Sequence, residues 1–305
     1  MIEIIIDTTI RAGTPIFFAT LGAILMEKSG IINLGIEGLM LIGALSGFFF
    51  TYSSGNPYIG FLMAAIVTSL VGTIHGVLTI YLRGNQIVSG LALTMFGTGV
   101  TALFGKNMVG ETIIGLDRMP VIFLKSIPYL GVLFKQDIIV YFSIVLLILI
   151  HLFLHKTSVG LNLRTVGENP YAADNAGINV NMYRFITVFI SSGIVGIGGA
   201  YLSVSYTPLW IENMTAGRGW IAVALVIFSS WDVRKALLGS YLFGGIAANQ
   251  LRLQAIGTNI SVQLLQMLPY IFTIIVLILS SFRGEKNSSS QPESLGLPYD
   301  REDRI

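Results

Sequence analysis

The sequence offers few side chains that could support catalysis or metal binding. Its three histidines, His75, His151 and His155, do not fall at a spacing typical of metal ligands, and the chain has no cysteine. The nearest match to a phosphate-binding loop runs from Gly99 to Asn107. It has five residues between its glycines instead of four, and Asn107 stands where a magnesium-binding Ser or Thr is required. We therefore expect neither catalysis nor metal or ATP binding by this chain.

Polar residues also interrupt the apolar stretches of the sequence at several positions. Residues 27–38 combine three glycines with Asn33 and Glu37. Irregular backbone at membrane depth is tolerated only where protein buries it or where it lines a water-filled cavity. Glu37 would open the next helix, where the helix dipole stabilises a negative charge. Glu37 thus marks either a helix N-terminus at the membrane interface or a part of the pathway.

A second glycine-rich stretch, residues 193–199, precedes Trp210 and a short apolar segment. Glycine-interrupted segments in both halves of a transporter indicate its pathway. The candidate pathway residues interrupt apolar helices or follow such a segment: Asn33, Glu37, Gln86, Thr94, Trp210 and Asn249.

Membrane helices must hold these residues. Of the 305 residues, 53% are hydrophobic and 11% are charged, whereas soluble domains carry about 25% charged residues. The net charge of +2 gives no reason to expect a nucleic acid partner. We expect an all-α polytopic membrane protein with about nine transmembrane helices, because windows poor in charge cover residues 12–26, 38–82 (two spans), 84–105, 138–155, 185–211, 219–231, 236–251 and 253–282. The segment 219–231 is short and predicts a broken or tilted helix.

Small residues four positions apart predict closely packed helices. They occur as the pairs Gly43/Gly47, Gly72/Gly76, Gly196/Ala200, Ser240/Gly244 and Gly244/Ala248.

The polar interval 156–184 contains a short helix with both ends marked. Asn169 is a good N-cap, and Pro170 suits the first helical position. Gly177 supplies the left-handed residue that ends such a helix. A helix of about two turns is unstable alone, so the interval is either a solvated loop or an element that a partner protein holds.

Domain organisation follows from the spans. Residues 1–282 form the membrane domain, with an outer loop at 106–136 and a cytoplasmic loop at 156–184. Residues 283–305 form a polar cytoplasmic tail whose first half we expect to be disordered. The N-terminus is then outside. Basic residues outside the tail divide evenly between the two sides, so the positive-inside rule permits this orientation without establishing it.

Five stretches carry a resemblance to a known family: residues 27–40, 85–93, 166–178, 250–254 and 295–302. Over nearly its whole length the chain resembles the permease subunits of bacterial ABC importers for nucleosides, within the simple-sugar and branched-chain amino-acid permease group. One position departs from the pattern, since Thr94 stands where we expect Asn in this family.

The resemblance implies a bundle like that of type II ABC importer permeases, in the inner or plasma membrane of a bacterium. It implies that the short helix is the coupling helix seated in a groove of a cytoplasmic ATPase. The matching positions are Gly167, Glu168, Asn169, Pro170, Ala172, Ala173, Asp174, Ala176 and Gly177. It also implies a second homologous permease subunit, as a heterodimer, and an extracytoplasmic substrate-binding protein or lipoprotein. The cargo would be a small neutral molecule, and the ATPase would bind ATP, so that this chain needs no cofactor.

Two alternatives compete with a nucleoside importer. One is an ABC permease for simple sugars, which are also neutral and polar. The other is an ion-coupled secondary transporter, which is less favoured because such proteins bury ionisable residues at mid-membrane. Among the predicted spans of this sequence, Glu37 is the candidate for such a residue.

Overall fold

The computed structural model describes residues 2–119, 130–255 and 291–302, together with isolated positions between 261 and 278. This part of the chain is helical. Its α-helices are α1 (Ile2–Glu27), α2 (Ile36–Ser54), α3 (Pro57–Gly76), α4 (Gln86–Gly105), α5 (Ile138–Lys156), α6 (Ser158–Glu168), α7 (Pro170–Asn175), α8 (Val180–Tyr201), α9 (Arg218–Phe228) and α10 (Val233–Ala255). The π-helical segments Val77–Tyr81 and Leu202–Tyr206 extend α3 and α8, and Lys106–Met108 and Leu130–Phe134 are short 3₁₀ helices.

Six helices in the described residues are long and apolar enough to cross a membrane: α1, α2, α3, α4, α5 and α8. The expected number of nine is not confirmed. Helix α9 has 11 residues, too few for a straight crossing of a hydrocarbon layer about 30 Å thick, as its sequence predicted. The expected last span, 253–282, falls largely outside the described residues.

Helix α1 begins ten residues earlier than the uncharged window predicted, at Ile2, because its charged residues find partners. Asp7 accepts hydrogen bonds from Arg118 and Gln136, each at 2.9 Å. Arg11 donates to the carbonyl of Ser205 at 2.6 Å. The first turns of α1 therefore lie beside the described parts of the 106–136 loop, at the end of the bundle that we call the Asp7 end.

Close packing of α2 on α8 confirms the prediction from small residues. A Cβ on Gly43 would overlap the backbone of Gly196, and a Cβ on Gly47 would lie 2.6 Å from that of Ala200. The same reasoning applies to α1 and α10, where Gly244 lies against the backbone of Gly13. Such contacts bring backbones together and maximise van der Waals packing where lipid supplies no hydrophobic drive.

The interval 156–184 is more helical than predicted. It contains α6 and α7, and α8 already begins at Val180. The threonine before α6 caps it, since Thr157 Oγ1 accepts from the amide of Gly160 at 3.0 Å. One face of α6 is buried through Leu163 and Val166. The sequence predicted only a polar interval here because Asn162, Arg164 and Thr165 lie among the apolar residues of α6.

Candidate translocation and coupling site

An irregular segment, residues 28–35, joins α1 to α2 and carries the first candidate pathway residue. Asn33 Oδ1 accepts a hydrogen bond from the amide of Gly35 at 2.7 Å, which closes a tight turn. Gly30 has a φ of 88°, in the left-handed region that favours glycine. The segment is largely buried, so its free backbone groups need partners from neighbouring helices.

Helix α4 supplies several of those partners. Gln86 Oε1 accepts from the amide of Ile32 at 2.7 Å, and Thr94 Oγ1 donates to the carbonyl of Leu34 at 3.0 Å. Gly90 allows this approach, since a Cβ there would lie 2.5 Å from the amide nitrogen of Leu34. The structure thus brings Asn33, Gln86 and Thr94 together around one segment.

His75 holds the same segment from α3. Its Nε2 lies 3.0 Å from the carbonyl oxygen of Ile32, and its Nδ1 lies 3.0 Å from Ser89 Oγ. The side chain is buried at 1% exposure. His75 is therefore a structural residue of the site. A lone histidine in an apolar run is typical of a packed, hydrogen-bonded core residue, but the sequence gives no sign of its partners.

Glu37 joins the N-termini of two helices. It lies in the first turn of α2, as predicted, and is 5% exposed. Its carboxylate accepts from Thr215 Oγ1 at 2.5 Å, from the amide of Gly217 at 2.9 Å and from the amide of Gly219 at 2.6 Å. These donors lie at the start of α9, whose unpaired amides and dipole favour an anion. The glycines around Arg218 could have suggested this helix start, but the sequence gives no link to Glu37.

Two buried amide groups of the site have no hydrogen-bond partner among the described residues: Asn33 Nδ2 and Gln86 Nε2. Both residues are 4% exposed. Amide donors of this kind can bind the hydroxyl or carbonyl oxygens of a neutral solute. In the present arrangement both donors are buried from solvent.

Trp210 and Asn249 lie apart from this cluster. Trp210 is fully buried and packs on Phe48, with ring centroids 6.2 Å apart, and on Gly105 at the end of α4. Its backbone pairs with residues 110 and 111 of the 106–136 loop. Asn249 Nδ2 donates to the carbonyl of Gly245 within α10. Gly245 faces Thr9 near the Asp7 end.

The short helix α7 has the predicted ends. Asn169 Oδ1 accepts from the amide of Ala172 at 2.9 Å, and Pro170 is the first helical residue. Gly177 has a φ of 82°. The amide of Ile178 donates to Ala173 at 3.0 Å and that of Gly177 to Asp174 at 2.9 Å, which completes a Schellman-type stop. The local conformation is confirmed, and its role stays a prediction.

Helix α7 has one buried and one exposed face. Pro170 and Ala173 are buried, and Ala173 packs with Val166, Val180 and Tyr299. The exposed residues are Tyr171, Ala172, Asn175, Ala176 and Gly177. These contacts within the chain correct the expectation that only a partner protein holds α7, because α7 already packs on other parts of the same chain.

Two ionisable groups near α7 and the irregular segment have shifted pKa values. Burial lowers the pKa of Lys28, and the neighbouring Glu168 carboxylate opposes that shift. Burial also raises the pKa of the Tyr299 hydroxyl, with a further contribution from the Asp174 carboxylate. Among the described residues no group of three or more His, Asp or Glu side chains could hold a metal ion.

Comparison with known proteins identifies the family. The family described as branched-chain amino acid transport system / permease component matches residues 5–280. The chain belongs to this permease family. It is an ABC transporter permease of a multi-pass membrane type, and therefore a transport subunit rather than an enzyme.

Several relatives match this permease over almost its entire length. A putative glucose ABC transporter permease of Haloferax volcanii is 36% identical, over 98% of each chain. A nucleoside ABC transporter permease of Lactococcus lactis is 36% identical, over 98% of this chain and 97% of its own. A guanosine ABC transporter permease of Bacillus subtilis is 34% identical, over the same shares.

One solved structure supports the fold. It is described as an inward-facing conformation of a putative metal-chelate type ABC transporter, and it covers 92% of this permease and 85% of its own chain. The TM-score is 0.54 and the identity is 13%, so the similarity concerns the fold alone.

Proposed function

We propose that this permease forms part of the translocation pathway of a nucleoside importer, powered by a separate ABC ATPase that docks on α7. The Lactococcus lactis and Bacillus subtilis relatives, named as nucleoside and guanosine permeases, support the cargo. Helix α7 supports the docking. It is a six-residue helix with Ala172 and Asn175 exposed, and the exposed Ala176 follows it. It lies at the end of α1 opposite to Asp7, because Gly167 contacts the carbonyl of Lys28.

The assembly and orientation belong to the same proposal. The ATPase binds ATP, a second homologous permease completes a heterodimer of type II importer form, and an extracytoplasmic binding protein or lipoprotein delivers the solute. Helix α7 and residues 283–305 are cytoplasmic, and the N-terminus is outside. The setting is the cell membrane of a bacterium, with about nine helices crossing it.

The pathway runs beside residues 28–35. Asn33 and Gln86 support this placement through their unpaired amide donors, and Thr94 lies against the same segment. Glu37 fixes α9 beside them. A carboxylate fully engaged with Thr215 and two amides is a poor site for a coupling ion, which argues against an ion-coupled secondary transporter.

The docking proposal is tested with Gly177→Val in the complete transporter. A Cβ at Gly177 meets nothing within 4 Å, so the substitution acts through the left-handed backbone, where a β-branched residue is strongly disfavoured. We expect weaker co-purification with the ATPase or ATP hydrolysis that no longer drives uptake. Gly177→Asn is the matched control, because Asn tolerates this conformation. Full coupled transport by Gly177→Val would remove α7 from the docking surface.

The cargo is tested by competition for uptake in vesicles that contain the whole transporter and its binding protein. Guanosine should compete for nucleoside uptake and glucose should not. The putative glucose permease of Haloferax volcanii, equally identical in sequence, makes the sugar the specific alternative. Competition by glucose alone would reassign the cargo, and uptake without the ATPase would favour a secondary transporter.

A further inference from the structure

The chain's last described segment, residues 291–302, is polar in sequence yet packed onto the rest of the protein. Ser294 and Tyr299 are 5% and 7% exposed. The amide of Ser294 donates to the carbonyl of Gly167 at 3.0 Å, and its hydroxyl donates to the same oxygen at 2.6 Å. The amide of Gly296 donates to Gly30 at 3.1 Å. We call residues 291–302 the strap.

Arg184, at the start of α8, binds the strap and the irregular segment together. It is 1% exposed. Its guanidinium donates to the carbonyl of Ser29 at 3.1 Å, to Ser294 Oγ at 3.2 Å and to the carbonyl of Leu297 at 3.3 Å. A buried guanidinium requires such partners, because an unpaired buried charge is strongly destabilising. The strap therefore supplies two of these three acceptors for the buried guanidinium.

Glycines make room for this arrangement. A Cβ on Gly30 would lie 2.8 Å from both Arg184 Nη2 and Ser294 Oγ, and Gly30 also needs its positive φ. A Cβ on Gly167 would overlap the carbonyl of Lys28. Three distant parts of the chain thus meet at backbone distance: the irregular segment, the end of α6 and the strap.

The C-terminal half of the strap contacts α7 and the turn between α3 and α4. Tyr299 packs with Ala173, and its ring centroid lies 5.3 Å from that of Tyr171. Arg301 Nε lies 3.3 Å from Asp174 Oδ2. On the other side, Asp300 forms an ion pair with Arg83. The strap therefore contacts α7, the irregular segment and the α3–α4 turn at once.

We propose that the strap is a positioning element that holds α7 and transmits its displacement to residues 28–35 and to the α3–α4 turn. This inference rests on the proposed docking of the ATPase at α7. Helix α7 is too short to stay rigid by itself, and a movement of α7 must either carry the strap along or break the contacts of Tyr299 and Arg301. A carried strap pulls on Gly30, three residues before Asn33.

The test measures ATP hydrolysed per nucleoside imported in the reconstituted transporter. Tyr299→Ala removes the ring under α7 and should raise this ratio roughly threefold, the scale at which single residues modulate coupling between sites. Tyr299→Phe keeps the ring and should leave the ratio unchanged. Co-purification with the ATPase should persist in both variants, because the exposed face of α7 is intact. A normal ratio in Tyr299→Ala would overturn the proposal.

Exchanging the charges of the Asp300–Arg83 ion pair tests whether the strap transmits the movement of α7, apart from any loss of protein stability. Asp300→Arg places two cations together and should raise the ratio roughly twofold, since a partly exposed pair contributes little. Arg83→Asp in the same chain should restore it. If the Tyr299→Ala protein does not accumulate, the ratios measured for Asp300→Arg and for the double variant still test the proposal. An unaltered ratio in Asp300→Arg, or a raised ratio that Arg83→Asp leaves uncorrected, contradicts the strap. If Gly177→Val uncouples hydrolysis from uptake while the strap variants keep a normal ratio, the proposed docking at α7 stands and the proposed role of the strap is rejected.

Discussion

At the scale of the residue, Glu37 shows how one carboxylate can organise two helices. Its first-turn place in α2 is favourable by itself. The larger effect comes from Thr215, Gly217 and Gly219, whose donors converge on it at the start of α9. Helix α9 has only 11 residues, and its free amides would otherwise be buried without partners. Glu37 is therefore better understood as a structural link between α2 and α9 than as a group that contacts solute.

We predict that Glu37→Ala lowers stability by on the order of 3 kcal/mol, because it leaves buried donors unpaired. The thermal denaturation midpoint of the purified protein in detergent should fall clearly. Glu37→Gln keeps one acceptor oxygen and should lose less. The exposed Glu212 gives a matched control, and Glu212→Ala should denature like the wild type. Equal midpoints for Glu37→Ala and Glu212→Ala would contradict the assignment.

Gln86 provides a second prediction at this scale. Gln86→Ala removes the acceptor for the amide of Ile32 and one unpaired amide donor. We expect slower nucleoside uptake or altered selectivity, with assembly intact, in reconstituted vesicles. Asn249→Ala should leave uptake unchanged, since Asn249 bonds within α10 and lies apart from the irregular segment. The prediction fails if Asn249→Ala impairs uptake and Gln86→Ala does not.

At the scale of the element, the bundle depends on helix pairs that approach through small residues. Gly43 of α2 faces the backbone of Gly196 in α8, whereas a Cβ on Gly99 of α4 would meet nothing within 4 Å. Gly43→Ala should therefore force the two helices apart and reduce the amount of folded protein recovered. Gly99→Ala should be neutral or slightly stabilising, because alanine favours a helix by about 1 kcal/mol over glycine. Recovery and denaturation midpoints of the two variants measure the difference, and equal recovery would refute the packing argument.

The elements differ in how well the sequence predicts them, for physical reasons. Helix α7 is predicted in detail because its caps, Asn169 and Gly177, act on neighbouring residues. Helix α6 is missed because polar residues such as Asn162 and Arg164 lie among its apolar positions, and the burial of Leu163 and Val166 depends on packing that the sequence does not show. The start of α1 is missed because Asp7 and Arg11 are paired by residues more than 100 positions away. Local signals are readable in sequence, and long-range pairing is not.

At the scale of the whole molecule, the sequence predicts candidate residues but not the long-range contacts that bring them together. The sequence identifies Asn33, Gln86 and Thr94 as polar residues that interrupt apolar stretches. It does not show that α4 holds the irregular segment, nor that the polar tail returns to bind Gly30 and Gly167. These contacts join residues that are far apart in the chain, and each depends on a close backbone approach that only the folded chain creates.

The orientation of the molecule gives the last prediction. Residues 291–302 lie with α7 and contact Gly30, whereas Arg118 and Gln136 lie with Asp7, so these two regions occupy opposite ends of α1. The proposed docking requires the α7 end to be cytoplasmic. Cysteine introduced into this cysteine-free chain reports the side directly, at two exposed positions, Glu111 and Gln291. In intact cells an impermeant thiol reagent should label Glu111→Cys and spare Gln291→Cys, and permeabilised cells should show both. The reverse pattern would place α7 outside, where no ATPase could reach it.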